Sequence, residues 1–218
     1  MDSLKFRLAG FPVQIAPGAL LLAGILFLLG LSWGWSFPYI FATIGVAVFS
    51  ILFHEFGHAI LARSFGLEPI SITLHGLGGL TRHAPSGSAG KELAIVLAGP
   101  GFGLILAAVG LVLSLLPLPG AIHSVAILIV YLNVLWSVFN LIPIFPMDGG
   151  QALAQFLQLF IAPAVAWPIT WGVGLAGAVA LGIAALVASQ IFILFFAGMF
   201  AWRNLELLRA WRVRNKRA

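Results

Sequence analysis

Long apolar runs dominate the chain, broken at irregular intervals by short clusters of glycine, proline and polar residues. A helix that crosses a bilayer needs about 20 predominantly apolar residues, since each advances it about 1.5 Å through a hydrocarbon core about 30 Å thick. Runs of that kind lie near residues 18–35, 37–63, 92–116, 121–145, 163–187 and 189–208. The last two form one apolar stretch, with the break expected at Ser189 and Gln190. Two segments follow a different pattern. Residues 4–15 alternate apolar and polar about Gly10, which predicts a short interfacial hairpin. Residues 66–91 hold six glycines around an alternating Ser-Ile-Thr-Leu at 71–74, which predicts a strand and a glycine-rich loop. The expected fold is an all-α polytopic membrane protein. It has about six transmembrane helices, an N-terminal hairpin and a small strand with its glycine-rich loop, in a single membrane-embedded core over residues 1–218.

Composition agrees. Of 218 residues, 61% are hydrophobic and 8% charged, against roughly a quarter charged in soluble domains. Such a surface would aggregate in water but suits lipid. The absence of cysteine excludes a disulfide framework, thiolate metal ligation and a cysteine nucleophile. A net charge of +5 raises the question of nucleic acid, but the basic residues flank apolar spans, and no nucleic-acid partner is expected. Their distribution instead sets topology. The loops around 34–37, 117–121 and 187–190 carry no charge, while Lys5, Arg7, Arg63, Arg82, Lys91 and the basic residues from Arg203 onward fall on the opposite side. Lysine and arginine mark the cytoplasmic face, so an even number of spans with both termini cytoplasmic is expected, residues 209–218 forming a basic cytoplasmic tail.

The second span contains His54-Glu55-Phe56-Gly57-His58. Residues four apart project from one helix face, so both imidazoles can hold one zinc ion, and Glu55 lies close enough to take a proton from water activated there. Ionisable groups inside a span cost about 2.5–3.5 kcal/mol on insertion scales and so call for a partner and a function. A catalytic zinc usually has three protein ligands and one open position. The expected third ligand is Asp148, at the cytoplasmic end of the fourth span, a depth compatible with the histidines. Pro143 and Pro146 would break the helix there, and Gly149 and Gly150 permit a sharp turn that aims the carboxylate inward.

The His-Glu-Phe-Gly-His span followed by Asn140-x-x-Pro-x-x-Pro-x-Asp-Gly-Gly resembles the site-2 protease family of intramembrane metalloproteases. The hairpin, the glycine-rich loop ending near Gly79 and Ala98-Gly99-Pro100 are similar to its bacterial sporulation-factor-processing branch. The resemblance implies one zinc per chain on His54, His58 and Asp148, with Glu55 as general base. It also implies hydrolysis of a peptide bond in a transmembrane or membrane-associated protein substrate, in a bacterial or archaeal cytoplasmic membrane, with lipid and a regulatory membrane protein as further partners. Asn140, Gly78 and Gly79 are candidates for binding substrate or orienting the site. Many relatives carry Asn where this chain has Gly103, so any role of that amide is absent here. Gly99 and Gly103 form a small-xxx-small face suited to close helix packing.

Residues 71–80 are a candidate substrate platform, because a peptide bond must leave its helix to be cut and an extended segment can add to a strand edge. The competing reading is a zinc transporter or sensor without catalysis. It would call for polar residues along both halves of the membrane, and the outer halves of the spans lack acidic and basic residues. A prenyl-protein type of peptidase would use a downstream glutamate as third ligand, and after Glu92 the chain holds only Glu206.

Overall fold

The computed structural model describes residues 3–76 and 78–215. Strands β1 (Leu4–Leu8) and β2 (Phe11–Ile15) precede a single 3-10 turn at Pro17–Ala19 and helices α1 (Leu20–Ser32) and α2 (Phe37–Ser64). Strands β3 (Ser71–His75) and β4 (Gly78–Arg82) follow. The rest is helical: α3 (Ala89–Ser114), α4 (Gly120–Asn140), α5 (Asp148–Leu157), α6 (Pro163–Val187) and α7 (Ile191–Asn215). Contacts divide the chain into two compact units, Met1–Ser86 with Ala98–Val138, and Gly87–Leu97 with Phe139 to the C-terminus.

In the first unit, the hairpin and the strand predicted separately form one sheet of order β1-β2-β3-β4. The β1–β2 and β3–β4 pairs are antiparallel, and β2 runs parallel to β3, with Val13 opposite Ile72. Phe11, Val13, Ile72 and Leu74 are buried in alternation, as the period of a half-covered sheet requires. Phe11 packs edge-on against Phe56 of α2 and lies under the Arg63 guanidinium, 3.4 Å from the ring centroid. Arg63 also donates to the Ala9 carbonyl, which fastens the hairpin to the end of α2. Buried polar pairs tie the helices of this unit together. Asn133 of α4 donates to the Ser50 hydroxyl of α2 at 2.8 Å, and Ser137 to the Pro100 carbonyl of α3 at 3.1 Å. The room for Ser137 comes from Gly103, whose absent side chain leaves space for that hydroxyl.

In the second unit, α6 and α7 form an antiparallel pair beside the turn leading into α5. Ile144 and Met147 of that turn bury against Ala178 and Phe200, with Phe139, Leu181 and Phe196 around them.

Among the described residues, five helices, α2, α3, α4, α6 and α7, are long and apolar enough to cross a membrane, and the protein is an integral membrane protein. The stretch predicted as the first span is a shorter apolar helix, Pro17–Ser32. The fourth predicted span, 121–145, ends at Asn140 because the approach to Pro143 leaves helical geometry. Helix α5 lies where no element was predicted. The break at Ser189 and Gln190 falls between α6 and α7, with Ser189 in the left-handed region at φ 55°. Residues 209–215 of the expected tail continue α7, since arginines propagate a helix well past the apolar stretch. Lys216 and Arg217 lie outside the described residues.

Candidate metal centre

The C-terminal half of α2 carries the three polar residues its sequence singles out. His54, Glu55 and His58 are all buried. One turn of helix brings the two Nε2 atoms to 3.2 Å, with the ring planes at 78°. Two ring nitrogens this close either share a proton or face a common cation, and the donor chemistry of paired imidazoles suits zinc.

The neighbouring helix leaves space for them. A Cβ at Gly99 of α3 would run into Nε2 of both histidines. A Cβ at Gly57 would strike the Ala98 carbonyl. Two glycines, one on each helix, thus permit the backbones of α2 and α3 to approach where the imidazoles emerge. The small-residue face foreseen on α3 therefore serves two ends, Gly99 admitting the rings and Gly103 the Ser137 hydroxyl.

Strand β4 packs against the acid between the histidines. The Thr81 hydroxyl lies 2.7 Å from Glu55 Oε2 and 3.1 Å from the Glu55 carbonyl, so its single proton is donated at one of two adjacent acceptors. A Cβ at Gly79 would collide with the Glu55 carboxylate, so a bare backbone is required there. Gly78 is different, because a Cβ would make ordinary contact with the Trp136 ring at 3.8 Å. Thr81 escaped the sequence reading. The signal that could have found it is the alternation of β4, which sets residues 79 and 81 on one face of the strand.

Asp148 is the first residue of α5 and is 8% exposed. Its carboxylate at a helix N-terminus is favoured by the unpaired N–H groups there. Behind it, a Cβ at Gly149 would strike the Leu141 carbonyl, and one at Gly150 the Ile144 and Phe145 backbone. The turn from α4 therefore folds back onto the first turn of α5. Among the described residues, His54 and His58 of the first unit and Asp148 of the second are the donors that could hold a metal ion. Asn140 is the last residue of α4 and is half-buried. The donors fit a zinc site, two imidazoles and a carboxylate, with a glycine clearing the approach.

Residues 42–120 match the model of peptidase family M50. The chain is 34% identical over 110 residues to a provisionally named zinc metalloprotease of Synechocystis sp., covering 50% of this chain and 29% of that protein. It is 30% identical over 164 residues to a zinc metalloprotease of Methanocaldococcus jannaschii, covering 70% of this chain and 44% of the relative. The chain thus spans less than half the length of these curated relatives. Its fold resembles the solved site-2 protease from Methanocaldococcus jannaschii, with a TM-score of 0.70, 22% identity and 95% of each chain covered.

Proposed function

We infer that this chain belongs to peptidase family M50 and acts as a membrane-embedded zinc metalloprotease of the site-2 type, cutting a peptide bond of a transmembrane or membrane-associated protein. The observation that carries the reading is the convergence of the His54 and His58 Nε2 atoms at 3.2 Å on a helix apolar enough to cross a membrane, with Glu55 buried between them. His54, His58 and Asp148 would hold one zinc per chain. When bound, zinc supplies Lewis acidity, polarising a carbonyl and making water acidic enough to give up a proton near neutral pH. Glu55 receives that proton on its carboxylate and returns it to the departing amine. Thr81 holds one oxygen of that carboxylate, so the base is oriented before substrate arrives. Gly79 and Gly99 keep side chains from crowding the base and the imidazoles.

An extended substrate segment is served best by β4, the outer strand of the sheet on the side of Glu55. Strand β3, the centre of the predicted platform, is paired on both sides and offers no edge. If prolines scanned across residues 78–82 leave the protein folded and cleavage unchanged, strand addition is wrong. With the shorter apolar helix Pro17–Ser32 taken as a sixth crossing, the charge distribution supports an orientation with both termini cytoplasmic, and the bacterial and archaeal relatives support a membrane of that kind.

The decisive test pairs metal content with cleavage. Wild-type protein should carry near-stoichiometric zinc, His54→Ala and Asp148→Ala should lose it with the fold intact, and Glu55→Gln should keep it yet cleave about 100- to 10,000-fold more slowly. Cleavage retained by Glu55→Gln would overturn the mechanism. Zinc retained by Asp148→Ala would overturn the ligand set.

A further inference from the structure

Asn204 of α7 is fully buried in a helix apolar enough to cross the membrane, and nothing in the proposed chemistry uses it. Both of its N–H donors are committed. Nδ2 donates to the Phe145 carbonyl at 2.7 Å and to the Phe200 carbonyl at 2.8 Å. Buried Oδ1 has no hydrogen-bond partner and faces Gly174 of α6, where a Cβ would overlap it. The opposite amide orientation would set Oδ1 against two carbonyl oxygens, so the assignment follows from the surroundings. An orphaned acceptor in an apolar core is costly, and a leucine, with the same side-chain branching and no polar atom, would avoid that cost. The amide is retained for what its donors hold.

What they hold is the turn that ends at Asp148. Phe145 lies three residues ahead of the carboxylate, and its backbone is what a Cβ at Gly150 would strike. The carbonyl of Phe145 is pinned from α7, its backbone abuts Gly150, and Asp148 starts the helix that Gly150 belongs to. Ile144 and Met147 anchor the same turn through apolar contact, but such contacts tolerate sliding, whereas a hydrogen bond to one carbonyl fixes orientation. We propose that Asn204 is a positioning residue for the metal centre, setting the aim of the Asp148 carboxylate through the Phe145 carbonyl. The proposal rests on Asp148 being a ligand, as argued above.

The test is zinc affinity, read by competition with a chromophoric chelator on the purified full chain. Asn204→Leu should weaken zinc by about 10- to 100-fold, the range seen when a partner that orients a ligand is removed. Gly174→Ala, whose added Cβ would press on the amide most closely at Oδ1, should weaken it in the same direction. Thr170→Val is the control, since Thr170 is equally buried but bonds only within its own helix, to the Ala166 carbonyl at 3.0 Å. It should leave zinc affinity at the wild-type value. In the Asp148→Ala background, Asn204→Leu should cost nothing further, because the residue acts through that carboxylate. Wild-type affinity in Asn204→Leu, an equal loss in Thr170→Val, or a full additional loss on top of Asp148→Ala would each overturn the proposal while leaving the ligand set standing. Wild-type affinity in Asp148→Ala would overturn both.

Discussion

The two sources of the proposed ligands are built by different means. His54 and His58 stand on an uninterrupted helix of 28 residues, and their spacing follows from the helical repeat alone. Asp148 stands at the start of a 10-residue helix, after a seven-residue turn whose backbone is packed, pinned and cleared of side chains from several directions. The histidines are placed by local geometry and need the rest of the fold only to make room. The aspartate is placed by the fold itself. Damage near the histidines should therefore act by obstruction, and damage near the aspartate by loosening.

The largest effects come from obstruction. Gly99→Ala sets a methyl against both imidazoles and should weaken zinc by about 100-fold or more, since two ligands are displaced together. Gly101→Ala, two residues on, meets nothing within 4 Å and should leave zinc unchanged. Metal titration of the pair checks both, and equal behaviour would remove the obstruction argument. Next comes loosening. Gly150→Ala forces a Cβ onto the Ile144 and Phe145 backbone, which cannot rotate away, and should destabilise the fold by about 1–3 kcal/mol in denaturant melts while also weakening zinc. Smaller still is the bond from Thr81 to the Glu55 carboxylate. Thr81→Val should lower kcat about tenfold on a model transmembrane peptide with KM and zinc content little changed, and Thr81→Ser should restore most of it. The smallest effect tests packing remote from the chemistry. Asn133→Leu should destabilise by about 0.6–1.7 kcal/mol and leave zinc affinity alone.

The same contrast explains what the sequence discloses. A span announces itself by a long apolar run, and a His-Glu-x-x-His pair by the coincidence of its spacing with one helical turn, so α2 and its proposed ligands are legible from residues 37–64 alone. Asp148 was legible only as a residue type at a suitable depth beside helix-breaking prolines and permissive glycines. The turn ahead of it is bonded at the Phe145 carbonyl by Asn204, more than fifty residues later, and no local pattern encodes that. Helix α5 was missed for a related reason. Its second and third residues are Gly149 and Gly150, which disfavour helix, and those glycines are explained only by the Leu141–Phe145 backbone they pack against. Similarly, the alternation within residues 4–15 and 71–74 predicts strands, but the parallel β2–β3 pairing is a contact between distant segments.

The order of the sheet also sets a gradient in how its amides exchange with solvent deuterium. Strands β2 and β3 are each paired on both sides, so their amides become labile only when neighbouring pairings open, whereas β1 and β4 can fray singly. Fraying of β4 separates Thr81 from the Glu55 carboxylate but breaks no turn of α2. Exchange rates along residues 78–82 therefore count how often the Glu55 carboxylate loses its bond to Thr81 while the histidines keep their places on α2.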